Sequence, residues 1–409
     1  MICKPHYTSD FFFLKCLFYW FKIFGTSPMG IDFTSAVKSN DVPQDVHFVF
    51  SKLGILHNAI LVCLAIIPSC VTIKEAYHTE YTDRLQLERV IDTVHAVATI
   101  MTFYFILINV CINQKRAVAI ANQLNSIYSQ STSLFSKSKI RPNRAFRSVK
   151  KIVSIHMVLM LLLCLFAFTF VHQNLIYHLF INFTNVTIYV MALQYSLVLK
   201  LLQHLYRSLN ADLRSFLITR DRRDPSSISL PIDELQCRLM QVYEIHASVS
   251  RVSQDVCDFY SLPLFFLFAI AFFTLVLFFY YFMLVLLLMN KMIDYGFVLP
   301  FFLTLLGLTI LAISTLARIA GGTVKESNIT REIVSESIMN QRNQPISGQL
   351  RDFLHYLQQK NAKFTVFDLF PINESLLMSI ASSISTYLVI LLQFKESNST
   401  QQTAPSSAT

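Results

Sequence analysis

Charge is scarce in this chain, and the scarcity comes in blocks. Asp, Glu, Lys and Arg make up 14% of the 409 residues, where a soluble domain carries roughly 25%. No charged residue stands between Lys151 and Lys200, and none between Asp258 and Lys291. Runs of this kind cannot form a solvated surface. A hydrocarbon core about 30 Å thick takes roughly 20 apolar helical residues per crossing. The first run therefore holds two crossings and a short turn, and the second holds one long crossing. Glycine is also rare, at 8 residues, and no internal repeat is visible. Both absences count against a transporter, which is often built from inverted repeats and Gly- or Pro-broken helices. The eight cysteines lie in apolar stretches or in segments assigned below to the cell interior, so neither a disulfide framework nor a metal site is expected. The eleven histidines are scattered and no intramembrane carboxylate pair occurs. An enzyme and a bound cofactor are not expected.

What is present is hydrophobic sequence, 54% of the chain. It divides into seven spans, at roughly 53–73, 93–113, 152–172, 177–199, 261–287, 296–317 and 372–394. Spans of this length in lipid must satisfy their own backbone, so each is read as a helix. The fold class is all-α: a polytopic membrane protein with seven transmembrane helices.

Lys and Arg set the orientation. Five precede span one; nine, eight and seven follow spans two, four and six; three, none and one follow spans one, three and five; one follows span seven. Positive charge marks the cytoplasmic side, so the N-terminus is expected inside and the C-terminus outside. The net charge of +9 is explained by this arrangement, with the lipid bilayer as partner and no nucleic acid. Asn398-Ser-Thr falls in the expected external tail, and Asn182-Phe-Thr and Asn185-Val-Thr near the outer end of span four.

The apolar run Phe11–Phe24 is interrupted by Lys15 and Lys22 and is followed by no small-residue cleavage site, so it is not read as a signal peptide. The lysines are seven apart and share a helix face. The run is either an interfacial amphipathic helix or a partly buried N-terminal segment. External loops are short and internal ones long. Leu201, Leu205, Leu209 and Leu213 step by four, and Leu235, Leu239, Val242, Ile245 and Val249 follow the same helical logic. Asp224-Pro-Ser-Ser breaks the chain between them. These helices form a cytoplasmic anchor layer. The expected organisation is 1–47, a cytoplasmic segment with the interfacial helix; 48–200, transmembrane helices one to four; 201–260, cytoplasmic helices; 261–317, transmembrane helices five and six; 318–370, a cytoplasmic anchor helix; 371–394, the last transmembrane helix; and 395–409, an extracellular tail.

That last helix is the most informative stretch. Pro371 suits a helix start, and Asn373 and Glu374 a first turn. Ser375, Ser379, Ser382, Thr386, Val389 and Gln393 are spaced four, three, four, three, four, which puts them on one face. Such a face either lines water, as in a pore, or makes a close helix–helix contact. Glu374 is either a cation attractor at a pore mouth or a helix N-terminal acid.

Thr386-Tyr387-Leu388-Val389-Ile390-Leu391-Leu392-Gln393-Phe394 resembles the C-terminal pattern of insect gustatory receptors: Thr-Tyr, five hydrophobic residues, Gln-Phe. Phe364-Thr-Val-Phe-Asp-Leu-Phe370-Pro371 is similar to the family's approach to its last span, with Asp368 where a Gly is usual, and Phe21-Lys-Ile-Phe-Gly25 is similar to its opening segment. The resemblance implies a fold similar to insect olfactory receptors. It implies a ligand-gated, nonselective cation channel, a homo-tetramer or a hetero-tetramer with other gustatory receptors, in the plasma membrane of chemosensory neurons and opened by a small-molecule tastant. The last helix would surround the pore that carries the permeant cations. Gln393 and Phe394 would stand near the outer constriction with Val389 and Ile390, and Ser375, Ser379, Ser382 and Thr386 would line the wider inner part. Gln offers dipoles rather than charge, which fits weak selectivity. Leu388 stands where receptors for simple sugars usually carry Glu. A ligand pocket is expected between the outer halves of spans two to six, with His95, Phe170, Tyr189, Phe279, Tyr280 and Phe301 as candidate lining. A G-protein-coupled receptor, the rival reading, needs an external N-terminus, and the last span holds no Asn-Pro-x-x-Tyr.

Overall fold

A computed structural model describes residues 5–32, 47–78, 86–134, 142–169, 175–217, 232–288, 298–340, 344–360 and 362–403. In chain order the elements are α1 (Pro5–Ile23), β1 (Gly30–Asp32), β2 (His47–Val49), α2 (Lys52–His78), α3 (Gln86–Ile112), α4 (Gln114–Leu134), α5 (Pro142–Thr169) and α6 (Leu175–Leu217), then α7 (Ile232–Leu288), α8 (Val298–Asn340), α9 (Gln344–Gln359), β3 (Thr365–Val366), β4 (Phe370–Pro371) and α10 (Glu374–Thr403). Seven of the helices, α2, α3, α5, α6, α7, α8 and α10, are long and apolar enough to cross a membrane. The protein is a multi-pass membrane protein.

Three of these helices are much longer than a bilayer is thick. At 1.5 Å per residue, the 43 residues of α6 span about 65 Å and the 57 of α7 about 85 Å. The leucine stripe from Leu201 to Leu213 therefore continues span four without a break, and Leu205, Leu209 and Leu213 are buried. Leu235, Leu239, Val242, Ile245 and Val249 are buried on α7 in the same core. No break occurs at residues 200, 260 or 317, and the break at Asp224 lies outside the described residues. The sequence reading did not isolate α4. It buries Ala117, Ile120, Leu124 and Ile127, a helical stripe of small and aliphatic residues between polar ones.

Two sets of cross-links fix how these helices run. The α3–α4 segment lies antiparallel to α7. From one end to the other, Tyr281 meets Asp92, Thr274 meets His95, Phe266 stacks on Phe105, and Arg116 pairs with Asp258. By contrast, α6 and α8 run parallel. Tyr189 meets Thr309, Arg207 meets Glu326 and Asn210 meets Thr330. The C-terminal halves of α6 and α8, the N-terminal half of α7, and α4 and α9 thus share one end of the molecule.

The N-terminal segment is stitched to that same end. The Asn122 side chain accepts from Phe48 N and donates to Phe48 O, both at 2.8 Å, as a neighbouring strand would. Gln114 donates to the carbonyls of Pro28 and Ser51. The fit depends on a glycine: a Cβ on Gly54 would stand 1.7 Å from the Pro28 carbonyl oxygen. On α1, Leu17 and Phe21 are buried in the core, with Phe13 and Trp20 packed beside them, while Phe12, Tyr19 and Ile23 are exposed. The run Phe11–Phe24 is thus a docked helix that keeps one apolar face open. Asn182 and Asn185 are buried, and the Asn182 amide donates to the His178 carbonyl, so neither is available for glycosylation in the folded chain.

Candidate functional site

The chain enters α10 through a hairpin. β3 and β4 pair antiparallel across a three-residue loop, 367–369, in which Leu369 N donates to Val366 O at 2.9 Å. Phe367 and Asp368 have φ of 49° and 56°. Such angles favour glycine, and among other residues Asp and Asn bear them best. This accounts for Asp368 at a place where Gly is usual. The hairpin is docked on α7: Phe367 and Phe370 lie against Phe265 and Phe268, and Cys257 Sγ reaches Thr365 O at 3.2 Å.

Pro371 closes β4 and is not the first residue of the helix, a correction to the sequence reading. Its fixed φ suits a short strand end as well as a first helical turn. Asn373 is the N-cap. Its Oδ1 accepts from Leu376 N at 3.2 Å and from the Ser375 hydroxyl at 2.6 Å. Glu374 opens the first turn, where an acid complements the helix dipole.

Beyond the cap, α10 has two unlike faces. Leu376, Leu377, Ile380, Ile384 and Leu391 pack on the core shared with α7 and α8. The residues of the polar stripe, Ser375, Ser379, Ser382, Thr386, Val389 and Gln393, are all exposed, and Ile390 lies beside them. The Ser379 hydroxyl donates to Ser375 O, and Thr386 Oγ1 to Ser382 O. Each hydroxyl thereby spends its proton on its own helix and keeps lone pairs turned outward. Only 6% of the apolar stretch of α10 is buried inside the chain, against 22% for α2 and α5 and 72% for α6. Tyr387 leaves the stripe and sets its ring 5.7 Å from that of Phe272 on α7. The helix continues past Phe394, of which the backbone alone is described, to Thr403.

The residues named for a ligand pocket separate into two groups. His95 on α3 shares a 2.9 Å hydrogen bond with Thr274 on α7 and stands edge-on to Phe278. One turn away on α3, Asp92 accepts from the Tyr281 hydroxyl at 2.6 Å. Tyr280 is buried next to Tyr281, and Phe279 is half-buried. His95, Asp92, Thr274, Phe278 and Tyr281 make one polar-aromatic seam between α3 and α7, and Phe279 and Tyr280 lie on other faces of α7. Tyr189 belongs elsewhere: it is buried between α6 and α8, with its hydroxyl 2.6 Å from Thr309 Oγ1. Phe301 is half-buried on α8, and Phe170 lies outside the described residues. The sequence reading missed Asp92, Thr274 and Tyr281. Asp92 carried a signal, since an acid three residues from a histidine near the start of an apolar span is costly and so rarely accidental.

Residues 14–398 match the family model of the 7tm chemosensory receptors. The chain belongs to the 7tm chemosensory receptor family. A curated relative in this family of receptors is the gustatory and pheromone receptor 32a of Drosophila melanogaster, 26% identical over 159 residues. The aligned stretch is 38% of this chain and spans 33% of that receptor's length. The fold is that of the insect olfactory receptor OR5 of Machilis hrabei, with a TM-score of 0.62 over 93% of this chain and 98% of that one at 13% identity. The structure of the same receptor in complex with eugenol superposes with a TM-score of 0.60, over 95% of this chain and 99% of that one, at 13% identity. These receptors are not enzymes, and this chain shares their architecture of seven apolar helices.

Proposed function

We propose that this receptor is a ligand-gated, nonselective cation channel for taste, a tetramer of identical or related subunits in which four copies of α10 surround a central pore. The carrying observation is the inverted economy of α10. Its aliphatic face packs on α7 and α8, and its Ser/Thr/Gln face has no partner element among the described residues. In hydrocarbon an apolar outer face would be expected; toward water or a neighbouring copy of the same helix, a polar one. The abundance of Lys and Arg in the connections after spans two, four and six supports a cytoplasmic location for the end that carries α4 and α9. On that reading the N-terminus is inside, the C-terminus outside, and the Asn373 cap lies at the inner mouth.

The ligand is a small molecule bound in the outer half of the bundle, near the seam of His95, Asp92 and Tyr281, with Phe279 and Tyr280 as further lining from α7. The olfactory receptor of the same fold that was solved with eugenol supports a small-molecule site. A ligand that binds the open arrangement more tightly shifts the population by that difference in affinity. The hairpin between α9 and α10, docked on α7, gives movement of α7 a direct route to the pore helix.

The test is electrical. The full chain is expressed in cells and a panel of small aromatic tastants, eugenol among them, is applied to excised outside-out patches without nucleotides. The reading expects evoked currents that reverse near zero with sodium and potassium on opposite sides. Responses present in whole cells but lost from every nucleotide-free patch would instead indicate a G-protein-coupled receptor and overturn the channel reading.

A further inference from the structure

The open face of α1 has a regular spacing. Phe12, Cys16, Tyr19 and Ile23 step by four, three and four, and all are exposed, the three large side chains at 68%, 50% and 57%. The opposite stripe of Phe13, Leu17 and Phe21 is docked on the core. A helix with one apolar face docked and a second one open requires an apolar solvent on the open side. Yet α1 is not among the seven helices fit to cross the membrane, and it carries Lys15 and Lys22. An interfacial placement, with the open face among the acyl chains, suits a helix of this composition.

The start of α5 meets α1 there. The Lys150 ammonium stands 5.7 Å from the centroid of the Phe13 ring. On either side of Lys150, Arg147 and Lys151 are exposed, four residues apart on one helix face. Like charges at that spacing repel. The sequence supplies little to offset them: no Asp or Glu occurs anywhere between Asp92 and Asp212, and the single acid of α1 is Asp10. A concentrated positive charge is thus held at the foot of a membrane helix, beside a second helix that lies in the same interface.

We infer that this corner of α1 and α5 binds anionic phospholipid headgroups. Arg147 and Lys151 contact the phosphates, and Phe12, Tyr19 and Ile23 cover the acyl chains below them. Clustered basic residues immediately beside a membrane helix are the chemistry that recognises such lipids. The inference rests on the membrane placement of the chain and not on its being a channel.

The experiment uses the purified full chain in nanodiscs, so it requires neither current nor a known tastant. Apparent melting temperature is measured in phosphatidylcholine alone and with added phosphatidylinositol bisphosphate. The lipid is expected to raise the melting temperature of the native chain. R147Q/K151Q should lose at least half of that shift, and the charge-conserving R147K/K151R should keep it. Soluble inositol trisphosphate should give no shift, because the acyl contacts are absent. No shift in the native chain, an equal shift in R147Q/K151Q, or full replacement of the lipid by inositol trisphosphate would overturn the inference. If R147Q/K151Q does not fold, R147Q and K151Q are measured singly, each expected to lose part of the shift, and two unchanged shifts count against it.

Discussion

Thr365 Oγ1 donates to the Asp368 carboxylate at 2.9 Å, across the turn that delivers the chain to α10. The contact ties down a residue whose φ of 56° favours glycine and is borne better by Asp than by most other residues. Replacing Asp368 by Gly relaxes the backbone and removes the hydrogen bond. The two effects oppose each other, and stability should change by less than about 1 kcal/mol. Asp368→Val keeps the strain and adds a branched Cβ, which should cost about 1–3 kcal/mol. Apparent melting temperatures of the detergent-solubilised chain check the order: native and Gly together, Val lower.

His246 on α7 is fully buried among Tyr206, Phe353 and Tyr356, with ring centroids 5.5, 5.7 and 6.1 Å away, and neither ring nitrogen has a hydrogen-bond partner among the described residues. A buried polar group without a partner costs about 1–3 kcal/mol. His246→Phe, of similar shape, should therefore raise the melting temperature. His246→Gln, whose amide brings more hydrogen-bond donors and acceptors to satisfy in the same space, should lower it.

Asn210 and Arg207 offer a comparison on one helix. Asn210 is 4% exposed, donates to Glu326 O at 2.7 Å and accepts from Thr330 at 2.6 Å. The Arg207 side chain is 54% exposed where it pairs with Glu326. Asn210→Ala strands two buried groups and should cost about 2 kcal/mol. Arg207→Ala gives up an ion pair that is solvated on the arginine side, with the Glu326 side chain 14% exposed, and should cost about 1 kcal/mol, still less than Asn210→Ala. Thermal melts of both variants decide the order, which a simple ranking by charge would reverse.

How far these features could be read from sequence depends on their range. The seven spans and the helical stripes of α6 and α7 were legible because hydropathy and period are local. The stripe on α10 was legible for the same reason, but its exposure was not: whether Ser379 faces a neighbouring helix depends on where α7 and α8 lie. Pro371 was placed in the helix because a proline suits both a first turn and a strand end, and only the pairing with Thr365 separates them. Asp92 drew no notice, since its partner Tyr281 lies 189 positions away. Tyr189 was offered as pocket lining from its aromaticity alone, and its bond to Thr309 uses the hydroxyl that such a role would have offered.

Gln393 sits on the exposed face of α10, one helical turn beyond Val389. If it lines the constriction, Gln393→Ala should alter the relative permeability to sodium and a larger organic cation while leaving tastant concentration dependence largely intact. Recording both quantities in the same patches separates permeation from gating. Unchanged permeability in a conducting variant would remove Gln393 from the pore.

The central claim is that the polar face of α10 meets water. It is tested most directly by thiol labelling in open membrane fragments, in a chain whose exposed Cys16, Cys63, Cys70 and Cys237 are replaced by Ser. Single cysteines are placed at Ser379 and Thr386 on the stripe, and at Leu161, which is 60% exposed on α5. A charged thiosulfonate reacts with thiolate in water and hardly at all with a thiol in hydrocarbon. Labelling of Ser379→Cys and Thr386→Cys with none of Leu161→Cys is the predicted result. Equal protection of all three would contradict the account, because it would place the polar stripe in lipid or in a dry helix contact.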